Sequence, residues 1–489
     1  MALVLILAVY MGLGLVTVLT RSPWQDEAWF GSPAWNLSQH GFLGTTVLDP
    51  ASSTWKSVDL TGIGRHTYWV MPLSLVLNSA VFRIFGFSSL AMRLPSLLFG
   101  LLFLLAWRAI LGRLGAPPGV TIAALLLIAV DFHFQLQAAD GRMDAMTAGL
   151  GYCAIAVYLI WRERRFAAAV FASQALAAAA CFTHPNGALP ALLLAVTTVY
   201  LDRKRIGAAT VALAAIPYLV LGAAWGVYIA QDPGAFRAQF LGNVAGRGPT
   251  ITQPLAALKM EIVNRYMNNF GLASWSSLSG RVNVIPLVIL LGGTALCFAV
   301  REIRRRPGYR LLLIWTAITV CYLTWFEGLK TPLYLLYVTP LYSVLCAIAA
   351  GWLWDRLPKT RVPVAAALAM LVLLQGVRTA AIAARKPRQR AFAPAVRYLQ
   401  EHYTPATFIM GDGSLLFGLG PEWHVLDDFR LGYNTGKRPD VIVIDEAWDD
   451  RIGMLREQHP DIFEHTRRVL SGYREVYNQE AYRILERPR

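Results

Sequence analysis

The chain has 489 residues, of which 56% are apolar and only 15% charged, and its formal net charge is +15. A soluble protein would have about a quarter of its residues charged, so this composition excludes an ordinary soluble domain. Residues 1–390 hold 33 Lys and Arg against 14 Asp and Glu, whereas residues 391–489 hold 12 against 16. The positive excess therefore belongs to the membrane part, where basic loops set orientation, and this distribution argues against nucleic-acid binding.

Apolar runs of about 20 residues, the length that a helix needs to cross a bilayer, recur along the chain. The first run lacks a preceding basic segment and a small-residue cleavage site, so we interpret it as a retained helix. The sequence predicts a polytopic α-helical membrane protein with about 11 transmembrane helices, at 3–19, 94–111, 119–136, 143–160, 166–183, 187–202, 207–230, 281–300, 309–326, 333–354 and 362–380.

The segment "TYWVMPLSLVLNSAVFRIFGF" (67–87) does not fit this series. As a full crossing it would place every later basic loop on the wrong side of the membrane. We interpret it as an interfacial or re-entrant helix, and the alternative is a further crossing near 88–93.

Clusters of Arg and Lys follow every second helix, for example at 162–165, 203–205 and 301–306. The positive-inside rule places these clusters in the cytoplasm of a cell-membrane protein. The loops 20–66, 137–142 and 231–280 and the C-terminal tail are then extracytoplasmic, although the basic run "ARKPRQR" before the tail departs from the rule.

Residues 386–489 differ in character from the membrane domain predicted at 1–385. "TFIMGD" and "DVIVIDEA" are short apolar runs that end in acids, and "REVYNQEAYRIL" has the pattern of a strand pair. We predict a small external α/β domain, in which acids at strand ends act as caps or turn residues.

Two acidic clusters lie on the predicted external face. Asp26 and Glu27 occur in "RSPWQDEAWF", and Asp140 and Asp144 flank Arg142 in "QLQAADGRMDAM". A helix over the second cluster would present both acids on one side with Arg142 turned away; alternatively, Arg142 pairs with one of them and holds the loop. Ionisable residues beside lipid are costly and often functional.

Basic and aromatic residues are predicted on the same face: Arg65, His66, Arg247, Lys330 and Tyr334. Cations that hold a phosphate, together with a carboxylate that accepts a proton, suit a reaction on a lipid-linked phosphate. His184 precedes a proline, which favours a capping role over a catalytic one. The simplest interpretation of Trp24, Trp29 and Trp69 is that they lie at the membrane interface.

Four strings resemble GT-C glycosyltransferases of the protein-mannosyltransferase and aminoarabinose-transferase type, which use polyprenyl-phosphate sugars. They are "WQDEAWF", "FRIFGFSSLAMRLPSLLFGLL", "AADGRMDAM" and "LKTPLYLLYVTPLYSVLCA". The resemblance covers roughly residues 20–350.

The resemblance implies catalytic carboxylates at Asp26, with Glu27 beside it, and at Asp144 or Asp140. It implies a donor-phosphate contact at Arg65 or His66, although "RHTYWVMPL" departs from the family's usual Pro-Pro-Leu-Tyr-like form. It further implies a site formed by Lys330 and Tyr334, and Arg247 is an additional candidate for the phosphate.

The implied reaction transfers a sugar from a polyprenyl phosphate to a glycan, lipid or protein acceptor, with inversion at the anomeric carbon. No cofactor is certain, and whether a divalent cation bridges Asp26 and Asp144 stays open. The alternative function is a lipid or lipid-linked-sugar flippase, although no internal repeat is visible.

Overall fold

The computed structural model describes residues 1–51, 59–245 and 250–488, without the side chains of 244 and 245. It is 73% helical. The α-helices are α1 Ala2–Thr20, α2 Gln25–His40, α3 Pro72–Phe85, α4 Ser89–Arg113, α5 Pro118–Val130, α6 Phe132–Ala138, α7 Asp144–Trp161, α8 Phe166–Thr183, α9 Ala188–Asp202, α10 Ala208–Ile229, α11 Pro233–Phe236, α12 Gly242–Ala245, α13 Pro254–Met260, α14 Leu278–Ala299, α15 Arg301–Arg305, α16 Pro307–Cys321, α17 Thr339–Arg356, α18 Arg361–Arg385, α19 Ala393–His402, α20 Leu416–Leu419, α21 Glu446–Gln458 and α22 Pro460–Ser471.

The described residues form two compact units. The bundle unit lies within Met1–Thr17, Ser96–Ala224 and Arg247–Ile382, and the sheet unit lies within Val18–Pro95, Trp225–Gly246 and Ala383–Arg489. The sheet unit therefore groups the N-terminal loop segments with the C-terminal residues. The division at residue 385 into a membrane domain and an external domain stays a prediction.

Eight helices in the described ranges are long and apolar enough to cross a membrane, and a ninth is counted if α5 and α6 form one span. The predicted helix at 187–202 corresponds to α9, which has 15 residues and is short for a bilayer. The predicted helix at 333–354 is divided into a 3₁₀ segment, Pro332–Tyr337, and α17. A polytopic helical membrane protein is confirmed, and the number of about 11 spans is not.

The bundle unit has an aromatic and aliphatic core. The indole ring of Trp107 packs against Tyr152 and Trp315, with ring centroids 5.0 and 6.3 Å away. The indole N–H of Trp315 donates to the hydroxyl of Thr197 at 3.1 Å, which satisfies a polar group that is fully buried.

A bend of 61° separates α5 from α6 at Asp131. The Oδ1 atom of Asp131 accepts the backbone N–H of Phe134 at 2.8 Å and the hydroxyl of Thr339 at 2.9 Å, and Oδ2 accepts the amide of Gln375 at 3.0 Å. Because a break leaves backbone groups without helical partners, the Asp131 cap fixes where α6 begins.

The difficult segment 67–87 contains α3, an apolar helix of 14 residues. This length is too short for a straightforward crossing, in agreement with an interfacial or re-entrant helix. The alternative of a further crossing near 88–93 is wrong, because α4 is one continuous helix from Ser89 to Arg113.

The C-terminal residues form a five-stranded mixed sheet in the order β2-β1-β3-β5-β4. The strands are β1 Ile409–Met410, β2 Val425–Leu426, β3 Val441–Asp445, β4 Arg474–Gln479 and β5 Tyr482–Glu486. Strand β1 pairs in parallel with β2 and β3, whereas β5 is antiparallel to β3 and β4. The predicted α/β fold and the strand pair in "REVYNQEAYRIL" are confirmed.

Candidate active site

The first acidic cluster lies in the first turn of α2. Asp26 and Glu27 follow the extended residue Trp24, whose backbone N–H donates to Glu27 Oε2 at 3.1 Å. Acidic residues are favourable here because the N-terminal end of a helix carries a partial positive charge. The helix ends at Gly41, where φ is 76° and the N–H donates to the carbonyl of Leu37.

Glu27 forms a bidentate ion pair with Arg93. The guanidinium Nε donates to Oε1 at 2.6 Å and Nη2 donates to Oε2 at 2.7 Å, and neither side chain is exposed. The remaining guanidinium N–H groups donate to the carbonyls of Val18, Arg21 and Ser22. One arginine therefore joins the start of α2 to the end of α1.

These contacts distinguish the two adjacent acids. Both oxygens of Glu27 are engaged by Arg93, and the carboxylate is completely buried. Asp26 is partly exposed. The geometry favours a structural part for Glu27 over the catalytic one predicted from the sequence.

The second acidic cluster lies in the turn before α7. The prediction that one helix presents Asp140 and Asp144 on the same side is wrong, because α7 begins at Asp144 and leaves Asp140 outside the helix. The Nε of Arg142 donates to Asp144 Oδ2 at 2.8 Å, so Arg142 is not turned away from the acids. The alternative in which Arg142 pairs with one of them is confirmed. Asp144 Oδ1 is buried and accepts no hydrogen bond within the described residues.

Lys330 lies in a buried charged network beside the π-helical segment Tyr322–Phe326, which directly follows α16. Its ammonium group donates to the carbonyls of Leu323, Thr324 and Glu327 at 2.6, 2.7 and 2.5 Å, and lies 3.4 Å from Glu261 Oε2. The last carbonyls of a helix have no helical N–H partner, and a lysine at this end satisfies them. Lys330 is therefore not a solvated helix-end residue. To bind a phosphate, its ammonium group would have to give up a hydrogen bond to one of these three carbonyls.

Arg265 completes this network. It donates to Glu261 at 2.9 Å and to Glu327 at 2.6 Å, and its side chain is fully buried. Burial raises the pKa of both glutamates, and Arg265 and Lys330 oppose that shift. Burial also lowers the pKa of Lys330. The charges of two cations and two carboxylates thus cancel formally in a buried site.

The other predicted phosphate ligands have different surroundings. The Arg65 guanidinium lies over the ring of Phe42, 5.0 Å from its centroid, and is exposed. His66 stacks on Tyr68, and burial is the main cause that lowers the pKa of His66. Arg247 lies outside the described residues.

Tyr334 is buried, and its ring lies 5.7 Å from that of His184. The Nδ1 of His184 accepts the backbone N–H of Asn186 at 3.0 Å, which confirms the predicted capping role.

Two residues of α2 contact the end of the sheet. The indole N–H of Trp29 donates to Asp427 Oδ2 at 2.9 Å, and Arg451 donates to the side-chain oxygen of Gln25. Trp29 therefore has a hydrogen-bond partner within the sheet unit, and its location at the membrane interface stays a prediction. Helix α2 is held by Arg93 at its start and by the sheet residues along one side.

Three carboxylates lie at the ends of the parallel strands: Asp412 after β1, Asp427 after β2 and Asp445 at the end of β3. Burial raises the pKa of all three, their mutual repulsion adds to this, and Arg451 opposes it. Asp412 accepts the N–H of Ser414 and Asp445 that of Trp448, so both act as predicted caps.

A metal requires several ligands converging at one point. Within residues 1–51, 59–245 and 250–488, no group of three or more His, Cys, Asp or Glu side chains could hold a metal ion. The Oδ1 atom of Asp144 is a suitable ligand atom, but a donor set for a resident cation is not assembled among these residues.

No protein-family model matches the sequence, and no curated protein matches it significantly. Solved structures do. The crystal structure of ArnT from Cupriavidus metallidurans bound to undecaprenyl phosphate is 16% identical, with a TM-score of 0.60 over 99% of this chain and 97% of that one. The chain has the fold of GT-C glycosyltransferases.

Two further structures agree with this GT-C fold. The oligosaccharyltransferase of Archaeoglobus fulgidus, in complex with Zn and sulfate, is 14% identical, with a TM-score of 0.55 over 96% of this chain and 71% of that one. The arabinofuranosyltransferase AftD from Mycobacteria is 13% identical, with a TM-score of 0.52 over 99% and 39%. The family resemblance in the sequence is thus confirmed for the fold.

Sequence reasoning missed three fully or almost fully buried charged residues that form ion pairs within the two units: Arg93, Glu261 and Arg265. The i,i+4 spacing of Glu261 and Arg265 was a usable signal for an ion pair on a helical turn. Arg93 stood within the quoted string "FRIFGFSSLAMRLPSLLFGLL", where an isolated charge among apolar residues calls for a buried partner.

We expect Arg93→Met to destabilise the protein by about 3–5 kcal/mol, because it leaves the Glu27 carboxylate buried without its cation. The double variant Glu27→Leu with Arg93→Met should be less destabilised than Arg93→Met alone. The apparent Tm of the detergent-solubilised protein measures both. A double variant that is less stable than either single variant would contradict this account.

The strand-end acids predict a pH dependence. Because their pKa values are higher in the folded chain, the folded chain binds more protons, and stability falls as pH rises from about 4 towards neutrality. Asp427→Asn removes one repelling charge while its side-chain oxygen can still accept from Trp29. We expect its apparent Tm to exceed that of the wild type by roughly 2–4 °C at pH 8, with a smaller difference at pH 5.

The control for this experiment is Asp440→Asn, which alters an acid that is 45% exposed and paired with Arg487. It should not change the slope of Tm against pH. If Asp427→Asn melts below the wild type at both pH values, repulsion among the strand-end acids is not what limits stability.

Proposed function

We propose that this chain is a membrane glycosyltransferase that moves a sugar from a polyprenyl phosphate to an acceptor outside the cytoplasm. The observation that carries the proposal is the fold match, which spans nearly the whole of both this chain and ArnT. That ArnT structure contains undecaprenyl phosphate, and a similar archaeal oligosaccharyltransferase was solved with an inhibitory peptide and a dolichol phosphate. Both lipids present a phosphate on a long apolar chain.

In the proposed reaction, Asp26 is the general base. It accepts the proton of the acceptor hydroxyl while that oxygen attacks the anomeric carbon of the sugar. The bond from the anomeric carbon to the phosphate oxygen breaks, and its electron pair leaves with the polyprenyl phosphate. A single displacement of this kind inverts the anomeric centre.

The assignment to Asp26 is supported by its place in α2. Asp26 is partly exposed in the first turn, whereas Glu27 is held by Arg93. We therefore assign Glu27 as a positioning residue, which fixes the turn that carries Asp26. The N-terminal end of α2 favours the ionised carboxylate that a base requires.

Asp144, or alternatively Asp140, is the proposed second carboxylate of the site. Asp26 belongs to the sheet unit and Asp144 to the bundle unit. The Oδ1 atom of Asp144 is buried and accepts no hydrogen bond within the described residues, so it suits a substrate hydroxyl.

For the donor phosphate we propose contacts from Arg65, His66, Arg247, Lys330 and Tyr334. Arg65 is the simplest of these, because its side chain is exposed and its guanidinium lies over the ring of Phe42. Lys330 would contribute after exchanging one carbonyl partner, so binding at Lys330 would be coupled to the shape of the loop that follows α16.

We expect Asp26→Asn to lower sugar transfer by about 10²- to 10⁴-fold, the usual loss when a general base is removed. Membranes containing the variant are supplied with a labelled polyprenyl-phosphate sugar, and labelled acceptor is separated from labelled donor. The matched control is Asp59→Asn, which removes another exposed acid of the same predicted external segment. If Asp26→Asn transfers sugar at the wild-type rate, Asp26 is not part of the site. If the wild type moves intact donor across the membrane without transferring its sugar, the flippase function is favoured.

The proposed location is the cell membrane, with α2 outside and the loop between α9 and α10 in the cytoplasm. Variants His40→Cys and Lys204→Cys each place a thiol at an exposed position of one of these segments. We expect an impermeant thiol reagent to label intact cells at position 40 and not at position 204. Labelling at 204 alone would invert the topology and place Asp26 on the cytoplasmic face.

A further inference from the structure

An open cavity of ≈ 490 Å³ lies in the bundle unit where α14, α15 and α16 follow one another. Half of its lining is arginine and the other half is apolar. The lining residues are Phe298, Arg301, Arg304, Arg305, Arg310, Leu313, Ile314 and Ala317.

The four arginines have no acidic partner within the described residues. Arg310 donates from Nε to the backbone carbonyl of Arg304 at 3.1 Å, a contact that neutralises no charge. Glu302, the acid nearest in sequence, instead pairs with Arg356 and accepts the indole N–H of Trp352. Four like charges around one cavity repel one another, and a bound anion would relieve that repulsion.

The apolar half of the lining belongs to two helices that are long and apolar enough to cross the membrane. Phe298 lies near the end of α14 and is 41% exposed, and Ile314 and Ala317 lie on α16. The cavity therefore has an apolar wall on two membrane-type helices and a cationic wall formed by α15 and the first turn of α16. A small inorganic anion would leave that wall uncovered.

The positive-inside rule accounts for arginines in this loop, but it requires only their number and side of the membrane. It does not require four of them to line one cavity with an exposed aromatic ring. Basic pockets between membrane helices are suited to anionic lipid head groups, and the planar guanidinium group matches phosphate oxygens in pairs.

We propose that this cavity binds an anionic phospholipid of the surrounding leaflet. The phosphate is held by Arg301, Arg304, Arg305 and Arg310, and an acyl chain lies along Phe298 and Ile314. The site is independent of the proposed sugar transfer, since it uses none of the residues assigned to that reaction.

The test is native mass spectrometry of the full chain in detergent, titrated separately with dioleoyl phosphatidylglycerol, dioleoyl phosphatidylcholine and inorganic phosphate. The wild type should bind phosphatidylglycerol at least about tenfold more tightly than phosphatidylcholine. The triple variant Arg301→Gln, Arg304→Gln, Arg305→Gln should lose most of that preference, because each cation near an anionic lipid contributes to its affinity.

The matched control is Arg164→Gln, Arg165→Gln, Lys204→Gln, which removes the same charge from exposed positions outside the cavity. It should bind phosphatidylglycerol as the wild type does. Phe298→Ala leaves every charge in place and truncates an exposed ring, so it should fold and weaken phosphatidylglycerol binding by at least about threefold.

Equal losses in the two triple variants would mean that overall charge, and not this cavity, attracts the lipid. No preference for phosphatidylglycerol in the wild type, or unchanged binding by Phe298→Ala, would likewise overturn the proposal. Competition by inorganic phosphate at concentrations similar to those of the lipid would identify a simple anion site without an acyl-chain contact.

Discussion

The buried pair of Glu27 and Arg93 is the constraint on which the candidate site depends. Burying two charges costs free energy that only close geometry and complete hydrogen bonding repay. Here both carboxylate oxygens and all the guanidinium N–H groups have partners, three of them carbonyls at the end of α1 and just after it. The pair therefore fixes the direction in which α2 begins. The neighbouring acid Asp26 acquires a defined position on a turn that would otherwise be an ordinary loop.

The same solution recurs at the other charged centre, in the bundle unit. Arg265 and Lys330 there bind both carboxylates and the backbone carbonyls of the π-helical segment that follows α16. In each unit, cations satisfy backbone oxygens at a helix terminus while they neutralise buried acids. A lysine or arginine, which is chemically suited to bind a substrate phosphate, can thus instead stabilise the fold. This is why exposed Arg65 and buried Lys330 call for different explanations although both are cations on predicted external loops.

Local patterns in the sequence predicted much of the fold. Apolar runs marked most of the membrane helices, and short runs ending in acids marked β1 and β3, because these signals depend on neighbours in the chain. The site was less predictable. Whether Arg142 faces Asp144 depends on where α7 begins, and a shift of a few residues reverses the answer. The partner of Glu27 lies 66 residues away and the partner of Trp29 lies 398 residues away. No spacing rule reaches such contacts, and a single sequence carries no covariation to reveal them.

The attachment of α2 to the sheet has a consequence for how the chain tolerates damage. A protein truncated at residue 385 would retain helices α1 to α18, yet the indole of Trp29 and the amide of Gln25 would lose the groups that bind them. Nonsense changes in the last fifth of the coding sequence would then resemble missense changes near residue 26, through loosening of the same short helix. Residues of the C-terminal region thus stabilise a helix that is distant in sequence, and a shortened protein designed from the sequence boundary alone would lose these contacts.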